Sequence, residues 1–415
     1  MKLLQFGAGN IGRSFIAQLF SRAGYEVVFA EIDLALVALL NQRRRYPVEI
    51  KDEPPETIWV ENIRAVDVRD EEAVIRELAS CDIAATAVGP AALPSLYSLI
   101  ARGLRERQKQ GRGPLDLILA ENLRYAAPLV RAGLRAHLPA DFPLESSIGL
   151  VETSIGKMVP IMPEQERRRD PLLLYAEAYN TLILDRKGFL GPVPKVAGLD
   201  PKENIAAYVE RKFFIHNLGH AAAAYLGHLR NPGWKFMSEV MRDPEIRGAA
   251  EAAMWESARS LILRYPQEFN EHNQAEHISD LLRRFANPAL GDTVYRVGRD
   301  LPRKLSSDDR LIGALRLDAA CGVSVPCTTL AAAAALLFRA RDERDQLFAA
   351  DARFAQEDYP RGLGHVLTHV CGLDPSADAA LMTAIQRAHD YLVEQSARSA
   401  DWLSRFLCRP GAVLG

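Results

Sequence analysis

The stretch that decides the fold lies at the start of the chain and is Lys2-Leu3-Leu4-Gln5-Phe6-Gly7-Ala8-Gly9-Asn10-Ile11-Gly12. A short apolar strand, predicted over 2–6, runs into three glycines spaced G-x-G-x-x-G, and helical spacing follows over 11–23. In a dinucleotide-binding unit the first glycine permits the tight turn, the second lets the pyrophosphate approach the backbone, and the third lets the helix pack on the strand. We therefore predict a dinucleotide site at Gly7, Ala8, Gly9, Asn10, Ile11 and Gly12.

An acid at the end of the next strand indicates which dinucleotide is bound. The strand predicted over 25–30 is followed by Glu31, and a carboxylate at this place accepts hydrogen bonds from the ribose diol and repels a 2′-phosphate. We expect NAD rather than NADP, with Asp33 as the alternative acid. A glycine-rich turn without a dinucleotide is the competing interpretation, and it would require neither the strand nor the acid.

Two later strands, predicted over 83–88 and 115–120, complete an alternation of strands and helices. This alternation predicts an α/β fold whose N-terminal part is a Rossmann-type, doubly wound sheet. Because cofactors bind at the carboxyl ends of such strands, Val88 and Gly89 are candidates for the nicotinamide side, with a simple turn as the alternative.

The second half of the sequence reads as helices, predicted over 206–229, 243–265, 275–285, 311–340 and, in the tail, 377–406. We predict two domains: residues 1–190 bind NAD, and residues 191–415 form a mainly α-helical substrate and catalytic domain. The boundary is placed at the glycine- and proline-rich segment 188–194.

Composition excludes several classes of function. Lys and Arg total 51 and Asp and Glu total 53 in 415 residues, so the net charge of −2 argues against a nucleic-acid or anionic-lipid partner. No apolar run approaches the ~20 residues of a membrane helix, and five scattered cysteines without a C-x-x-C read as reduced thiols. We expect a cytoplasmic protein, a monomer or homodimer, with a small-molecule substrate and no metal.

Lys212, Asn217 and His220 form the candidate chemical cluster, on the helix predicted over 206–229. At about 100° per residue Asn217 lies about 140°, and His220 about 80°, from Lys212, within one broad face. An amine, an amide and an imidazole suit a polyhydroxy ligand, since alcohol oxidation needs a base and a donor that holds the developing alkoxide. The competing interpretation is a solvated lysine beside a core amide and imidazole. His272 and His277, in a polar stretch, are expected to be solvated.

The K-x4-N-x2-H pattern after an N-terminal G-x-G-x-x-G resembles the polyol-specific long-chain dehydrogenase/reductase family, also called the mannitol dehydrogenase family. Further similar stretches are Thr86–Pro90, Glu121–Leu123, Arg283–Pro288 and Arg296–Leu305. The resemblance implies that Lys212 is the general acid/base, that Asn217 and Asn122 hold the reacting oxygen, and that His220 binds substrate hydroxyls. It also implies NAD-dependent interconversion of D-mannitol 1-phosphate and D-fructose 6-phosphate without a metal. A free polyol dehydrogenase, a hexuronate reductase and a non-catalytic NAD-binding sensor are the alternatives.

A basic segment offers a place for a substrate phosphate. Five cations fall within residues 296–310, and arginine forks bind phosphate oxygens bidentately. We choose Arg299, Arg303 and Lys304 as phosphate ligands. A solvated loop neutralised by its own aspartates is the alternative.

Overall fold

The computed structural model describes residues 1–52, 54–395 and 401–407, and the chain divides into two compact units, Met1–Val209 and Glu210–Gly415. The strands of the first unit are β1 Lys2–Phe6, β2 Glu26–Glu31, β3 Arg45–Ile50, β4 Glu56–Glu61, β5 Ile63–Asp67, β6 Ile83–Thr86, β7 Leu115–Leu119, β8 Ile148–Ser154, β9 Leu174–Ala176, β10 Leu182–Asp185 and β11 Leu199–Lys202. Its helices are α1 Gln18–Arg22, α2 Leu34–Arg43, α3 Glu71–Ser80, α4 Tyr97–Lys109, α5 Ala126–Arg135, α6 Leu144–Ser147 and α7 Glu164–Arg169.

Eight strands form one sheet in the order β11-β10-β8-β7-β6-β1-β2-β5, and β4, β3 and β9 form a small second sheet. The pairs from β5 to β8 are parallel, whereas β10 runs antiparallel to β8. The predicted domain boundary at residue 190 falls inside this unit, because β11 pairs with β10 and forms the edge of the sheet.

Hydrophobic side chains cover both faces of the large sheet. Successive residues of a strand point to opposite faces, so Leu3 and Val27 enter one core while Leu4 and Val28 enter the other. The helices packed on these two faces complete three layers. The predicted α/β class with a doubly wound sheet is confirmed.

The described residues of the second unit are mainly helical, with one isolated antiparallel bridge between Phe236 and Thr293. Helix α8, Ile205–Arg211, contains the division between the units, and it is followed by α9 Leu218–Arg230, α10 Met237–Val240, α11 Pro244–Arg264, α12 Glu271–Phe285, α13 Val294–Gly298, α14 Leu301–Lys304, α15 Ile312–Ala320, α16 Pro326–Leu336, α17 Ala349–Arg353, α18 Leu363–His365, α19 Ala379–Gln395 and α20 Trp402–Leu407. Short 3₁₀ turns lie at Leu93–Leu96, Arg186–Gly188, Pro288–Leu290 and Tyr359–Arg361, and π turns at Gly12–Ala17, Lys212–Asn217, Phe354–Asp358 and Val366–Val370.

The structure changes the predicted bounds of two helical segments, residues 311–340 and the tail. The single helix predicted over 311–340 is broken between α15 and α16, because Gly322 adopts a φ of +68° and Pro326 begins a new helix. The predicted tail helices are present as α19 and α20, but residues 396–400 of that stretch lie outside the described residues.

The tail is part of the packed unit. Helix α9 packs against α11, α13 and α16, and α19 covers α16 on another side. In α20 the side chain of Trp402 is only 1% exposed, and Arg230 of α9 lies over its ring at 5.4 Å. The main-chain oxygen of Trp402 accepts a hydrogen bond of 2.7 Å from the hydroxyl group of Tyr391 in α19. The tail therefore closes the hydrophobic core of the second unit.

We predict that Trp402→Ala lowers the free energy of unfolding by about 3–5 kcal/mol, the usual cost of truncating a buried aromatic side chain. Urea unfolding followed by circular dichroism measures the loss. Trp59→Ala is the matched control, since Trp59 is 49% exposed and also stacks under an arginine, Arg45. Equal losses in the two variants would contradict a packed tail.

Candidate active site

The glycine-rich loop after β1 has the form that a pyrophosphate needs. Gly7 has a φ of +87°, and a Cβ there would lie 2.7 Å from the oxygen of Ala87 in the loop after β6. A Cβ on Gly12 would overlap the oxygen of Gly7, whereas a Cβ on Gly9 would meet nothing within 4 Å. Packing thus requires the first and third glycines, and the second borders open space.

The helix after this loop begins at Asn10, and the π turn Gly12–Ala17 follows within it. Its first N–H groups and its positive dipole end suit the phosphates of a dinucleotide. The buried side chain of Arg13 anchors the loop, since its Nε donates a 2.6 Å hydrogen bond to the main-chain oxygen of Ala8. The predicted cofactor residues Gly7–Gly12 therefore lie together at the carboxyl end of β1.

Glu31 lies at the end of β2, beside the glycine loop. One carboxylate oxygen accepts the N–H of Ala8 at 2.7 Å, and the other accepts the N–H groups of Ile32 and Asp33. The alternative acid, Asp33, caps α2 by accepting the N–H groups of Ala35 and Leu36. Both acids accept main-chain N–H groups, but only Glu31 contacts the glycine loop, through the N–H of Ala8, and this position makes it the better candidate for the ribose.

The loop after β6 is held by an acid that the sequence analysis did not single out for a role. Glu121, at 4% exposure, accepts the N–H groups of Val88 at 3.0 Å and Gly89 at 2.8 Å. Burial raises the pKa of this carboxyl group. Asn122 follows it, exposed at the carboxyl end of β7. An acid directly after a buried strand was the available signal, although its partners could not be inferred from it.

Lys212 and Asn217 are the first and last residues of a π turn that the sequence did not predict, and His220 follows in α9. Residues Lys212–Asn217 form a π turn within the helix that runs from α8 into α9. With i to i+5 bonding, a residue five positions later lies close to one full turn further on. Asn217 therefore lies nearer the face of Lys212 than the α-helical angle of about 140° implied.

The environment of Lys212 disfavours its charge. The side chain is partly buried, and desolvation together with the guanidinium group of Arg310 lowers its pKa to about 7. The carboxylate of Asp309 acts in the opposite direction but is itself paired with Arg310 at 2.7 Å. An amine that titrates near neutrality can both accept and donate a proton under physiological conditions.

The ring of His220 is held on two sides. Its face stacks on Phe285 of α12, with centroids 4.4 Å apart and planes 3° from parallel. Its Nε2 lies 3.2 Å from Oδ2 of Asp292. Desolvation lowers the pKa of this imidazole below its ordinary value, although the nearby carboxylate of Asp292 acts in the opposite direction.

Three buried polar atoms in this region, Asn217 Nδ2, His220 Nε2 and Asp292 Oδ2, lack an aligned hydrogen bond among the residues that the structure describes. An unsatisfied buried polar group costs about 1–3 kcal/mol. Such groups call for a particular explanation, and a functional role is one. His220 Nε2 and Asp292 Oδ2 face each other at 3.2 Å, whereas Asn217 Nδ2, on the same helix as Lys212, is the donor that a ligand oxygen would satisfy.

Helix α12 contributes residues beside His216 and His220 that the sequence did not indicate. It carries Phe285, the buried Arg284 and His277, whose Nε2 is shielded from solvent, while His216 lies 5.7 Å from the Phe285 ring. The expectation of a solvated side chain is confirmed for His272, at 84% exposure, but is wrong for His277. The helical spacing 277, 281, 284, 285 was the signal, since it places these residues on one face.

The basic segment 296–310 is largely neutralised within itself. Arg296 pairs with Asp292 at 2.7 Å, and Arg303 pairs with Asp300 at 2.5 Å and with Asp309 at 3.3 Å. Lys304 is 4% exposed and donates to the oxygen of Val297.

Arg299 differs from these cations. Its guanidinium lies over the rings of Tyr295 at 5.5 Å and Phe348 at 5.3 Å. Within the described part of the chain it has no carboxylate partner within 4 Å. Of the three predicted phosphate ligands, Arg299 therefore keeps a guanidinium not engaged by an acid.

The described residues contain no group of three or more His, Cys, Asp or Glu side chains that could hold a metal ion. They also contain no helix with the length and apolar character required to cross a membrane.

Comparison with known proteins shows the family. Residues 1–198 match the model of the mannitol dehydrogenase Rossmann domain, and residues 204–357 match that of the mannitol dehydrogenase C-terminal domain. Among solved structures, the fold is similar to Pseudomonas fluorescens mannitol 2-dehydrogenase in ternary complex with NAD and D-mannitol, with a TM-score of 0.78, 17% identity, and coverage of 99% of this chain and 95% of that one. It is also similar to a substrate-free D-sorbitol dehydrogenase, with a TM-score of 0.76, 16% identity, and coverage of 96% and 94%. The chain belongs to the mannitol dehydrogenase family.

Proposed function

We propose that this member of the family is an NAD-dependent oxidoreductase that interconverts D-mannitol 1-phosphate and D-fructose 6-phosphate, the activity of a mannitol-1-phosphate 5-dehydrogenase. The observation that carries the proposal is the desolvated Lys212, with a pKa of about 7, on the same helix as Asn217 and His220. A neutral amine at this place is a general base for alcohol oxidation and, once protonated, a general acid for ketone reduction.

NAD would be held by the glycine loop and by Glu31. The open space at Gly9 and the start of the helix at Asn10 fit the pyrophosphate, and the carboxylate of Glu31 fits the ribose diol. Bound NAD supplies the acceptor for the hydride that leaves the carbinol carbon. The similarity to a protein crystallised with NAD and D-mannitol supports this assignment. Val88 and Gly89 are the proposed neighbours of the nicotinamide.

The residues of this chain manage the proton and the oxygen. Lys212 takes the proton from the hydroxyl group as the carbonyl forms, while the amides of Asn217 and Asn122 donate hydrogen bonds to the reacting oxygen. An amide does this without titrating, so the oxygen is held in both directions of the reaction. His220 contributes a hydrogen bond to a neighbouring hydroxyl group.

The phosphate is the finer part of the proposal, and Arg299 supports it. A guanidinium whose faces pack against aromatic rings keeps the N–H donors at its edge for a phosphate. A free hexitol has no anion to match this charge.

A free polyol is the second candidate substrate, and a specific observation favours it. Arg296, Arg303 and Arg310 are all already paired with aspartates, so the basic segment needs no phosphate for neutrality. The two similar structures are also named for free polyols. A hexuronate reductase would use the same cations for a carboxylate, and an NAD-binding sensor would need no base such as Lys212.

We predict opposite pH dependences for the two directions of the reaction. Oxidation requires neutral Lys212, so kcat/KM for the polyol should rise as the pH increases through about 7, whereas ketone reduction should fall over the same interval. Lys212→Ala should lower turnover by about 10²–10⁴-fold while NADH binding, followed by fluorescence, is retained. Full activity in this variant would refute the acid–base role.

We predict that NADH is oxidised with fructose 6-phosphate and not with free fructose. Arg299→Ala should raise the KM for the phosphorylated ketose about 10-fold or more, the cost of a lost charged hydrogen bond. Arg283→Ala, at an exposed arginine paired with Asp280, is the control. Comparable rates with both ketoses would select the free polyol instead.

A further inference from the structure

Asp292 is a buried acid with two charged or polar neighbours. It precedes α13 and is 5% exposed. Its Oδ1 accepts a 2.7 Å hydrogen bond from Nε of Arg296, and its Oδ2 faces Nε2 of His220 at 3.2 Å. Its main-chain oxygen accepts the N–H of Met237 at 2.9 Å. Contacts to Arg296 and to Met237 therefore hold the carboxylate of Asp292 in place independently of the imidazole.

The imidazole of His220 is constrained by this carboxylate and by Phe285 together. The stacked Phe285 ring sets the plane of the imidazole, and Asp292 sets which edge faces the protein interior. Both Nε2 and Oδ2 are shielded from solvent, while the His220 side chain as a whole keeps 14% exposure. The edge that carries Nδ1 is consequently the one left for a ligand.

A carboxylate beside Nε2 selects one form of the neutral ring. A neutral imidazole has one N–H and one lone pair, and an acid that can only accept favours the proton on the nitrogen nearest to it. The opposite nitrogen, Nδ1, then presents a lone pair. A substrate hydroxyl group can donate a hydrogen bond to that lone pair while its oxygen faces other donors.

We propose that Asp292 is a positioning residue, which holds His220 in the Nε2–H tautomer and turns its Nδ1 toward a hydroxyl group of the polyol. The inference rests on the proposed function for the identity of the ligand, but the tautomer is a property of the free protein. The two atoms lie 3.2 Å apart, within reach of a hydrogen bond although not fully aligned for one.

The tautomer is measured on protein labelled with ¹⁵N-histidine, with His220→Gln used to assign the signal. We expect the Nε2–H form in the wild-type chain. Asp292→Asn should shift His220 toward the Nδ1–H form, because an amide can donate to Nε2. Arg296→Gln removes the other partner of the carboxylate and should leave the tautomer unchanged. An Nδ1–H ring in the wild-type chain overturns the proposal, even if Asp292→Asn fails to fold.

A double-mutant cycle tests whether Asp292 acts through His220 during turnover. Asp292→Asn should lower kcat/KM by about 10- to 100-fold, the range expected when one hydrogen bond to a charged group is lost. His220→Ala should cause a similar loss, and the double variant should lose no more than the larger single loss. Losses that multiply would show independent roles and overturn the proposal.

The matched control is Asp378→Asn, at a carboxylate that pairs with Arg316 at 2.6 Å within the same unit. This variant should leave both the tautomer and kcat/KM unchanged. If no polyol or sugar phosphate is turned over, the proposed function fails, while the tautomer of His220 in the free protein still decides the present inference.

Discussion

Burial of one amine shapes the second unit of this protein. An ammonium group is costly to remove from water, and the structure lowers the pKa of Lys212 to about 7 by desolvation and by placing Arg310 nearby. Asp309, which would restore the charge of the lysine, is paired with Arg310 and Arg303, so its effect on Lys212 is reduced. The π turn then places the amide of Asn217 near the same face.

The aspartates of the basic segment 296–310, together with Asp292 just before it, neutralise most of its arginines. Arginines at 296, 303 and 310 each pair with an aspartate, and these pairs fix the conformation of the segment. Arg299 is held by aromatic faces instead. The basic segment thus has two parts in the structure, a set of arginines neutralised by aspartates and one guanidinium, that of Arg299, packed against aromatic rings.

The parts of the fold that follow from local pattern were predictable. Consecutive apolar residues such as Leu3 and Leu4 indicate a strand buried on both faces, and the glycine spacing after it indicates the cofactor loop. The cluster of Lys212, Asn217 and His220 was also visible as a spacing. Its geometry was not, because a π turn depends on packing against other helices and leaves no period in the sequence.

Contacts between distant segments were likewise beyond the sequence. Asp292 lies 72 positions after His220 in the sequence, yet their side chains meet at 3.2 Å. Glu121 accepts hydrogen bonds from the loop after β6, and the ring of Trp402 packs under Arg230 of α9. Each of these residues is ordinary by type, and only the tertiary fold gives it a partner.

The measurement that tests the account most directly is the pKa of Lys212 in the free protein. The rate of acylation of its Nζ can be followed by peptide mass spectrometry across a pH series, with the urea-unfolded chain as reference. Half-maximal reactivity is expected at about pH 7 in the folded protein. Half-maximal reactivity near pH 10.5 in both states, the ordinary value for lysine, would contradict it.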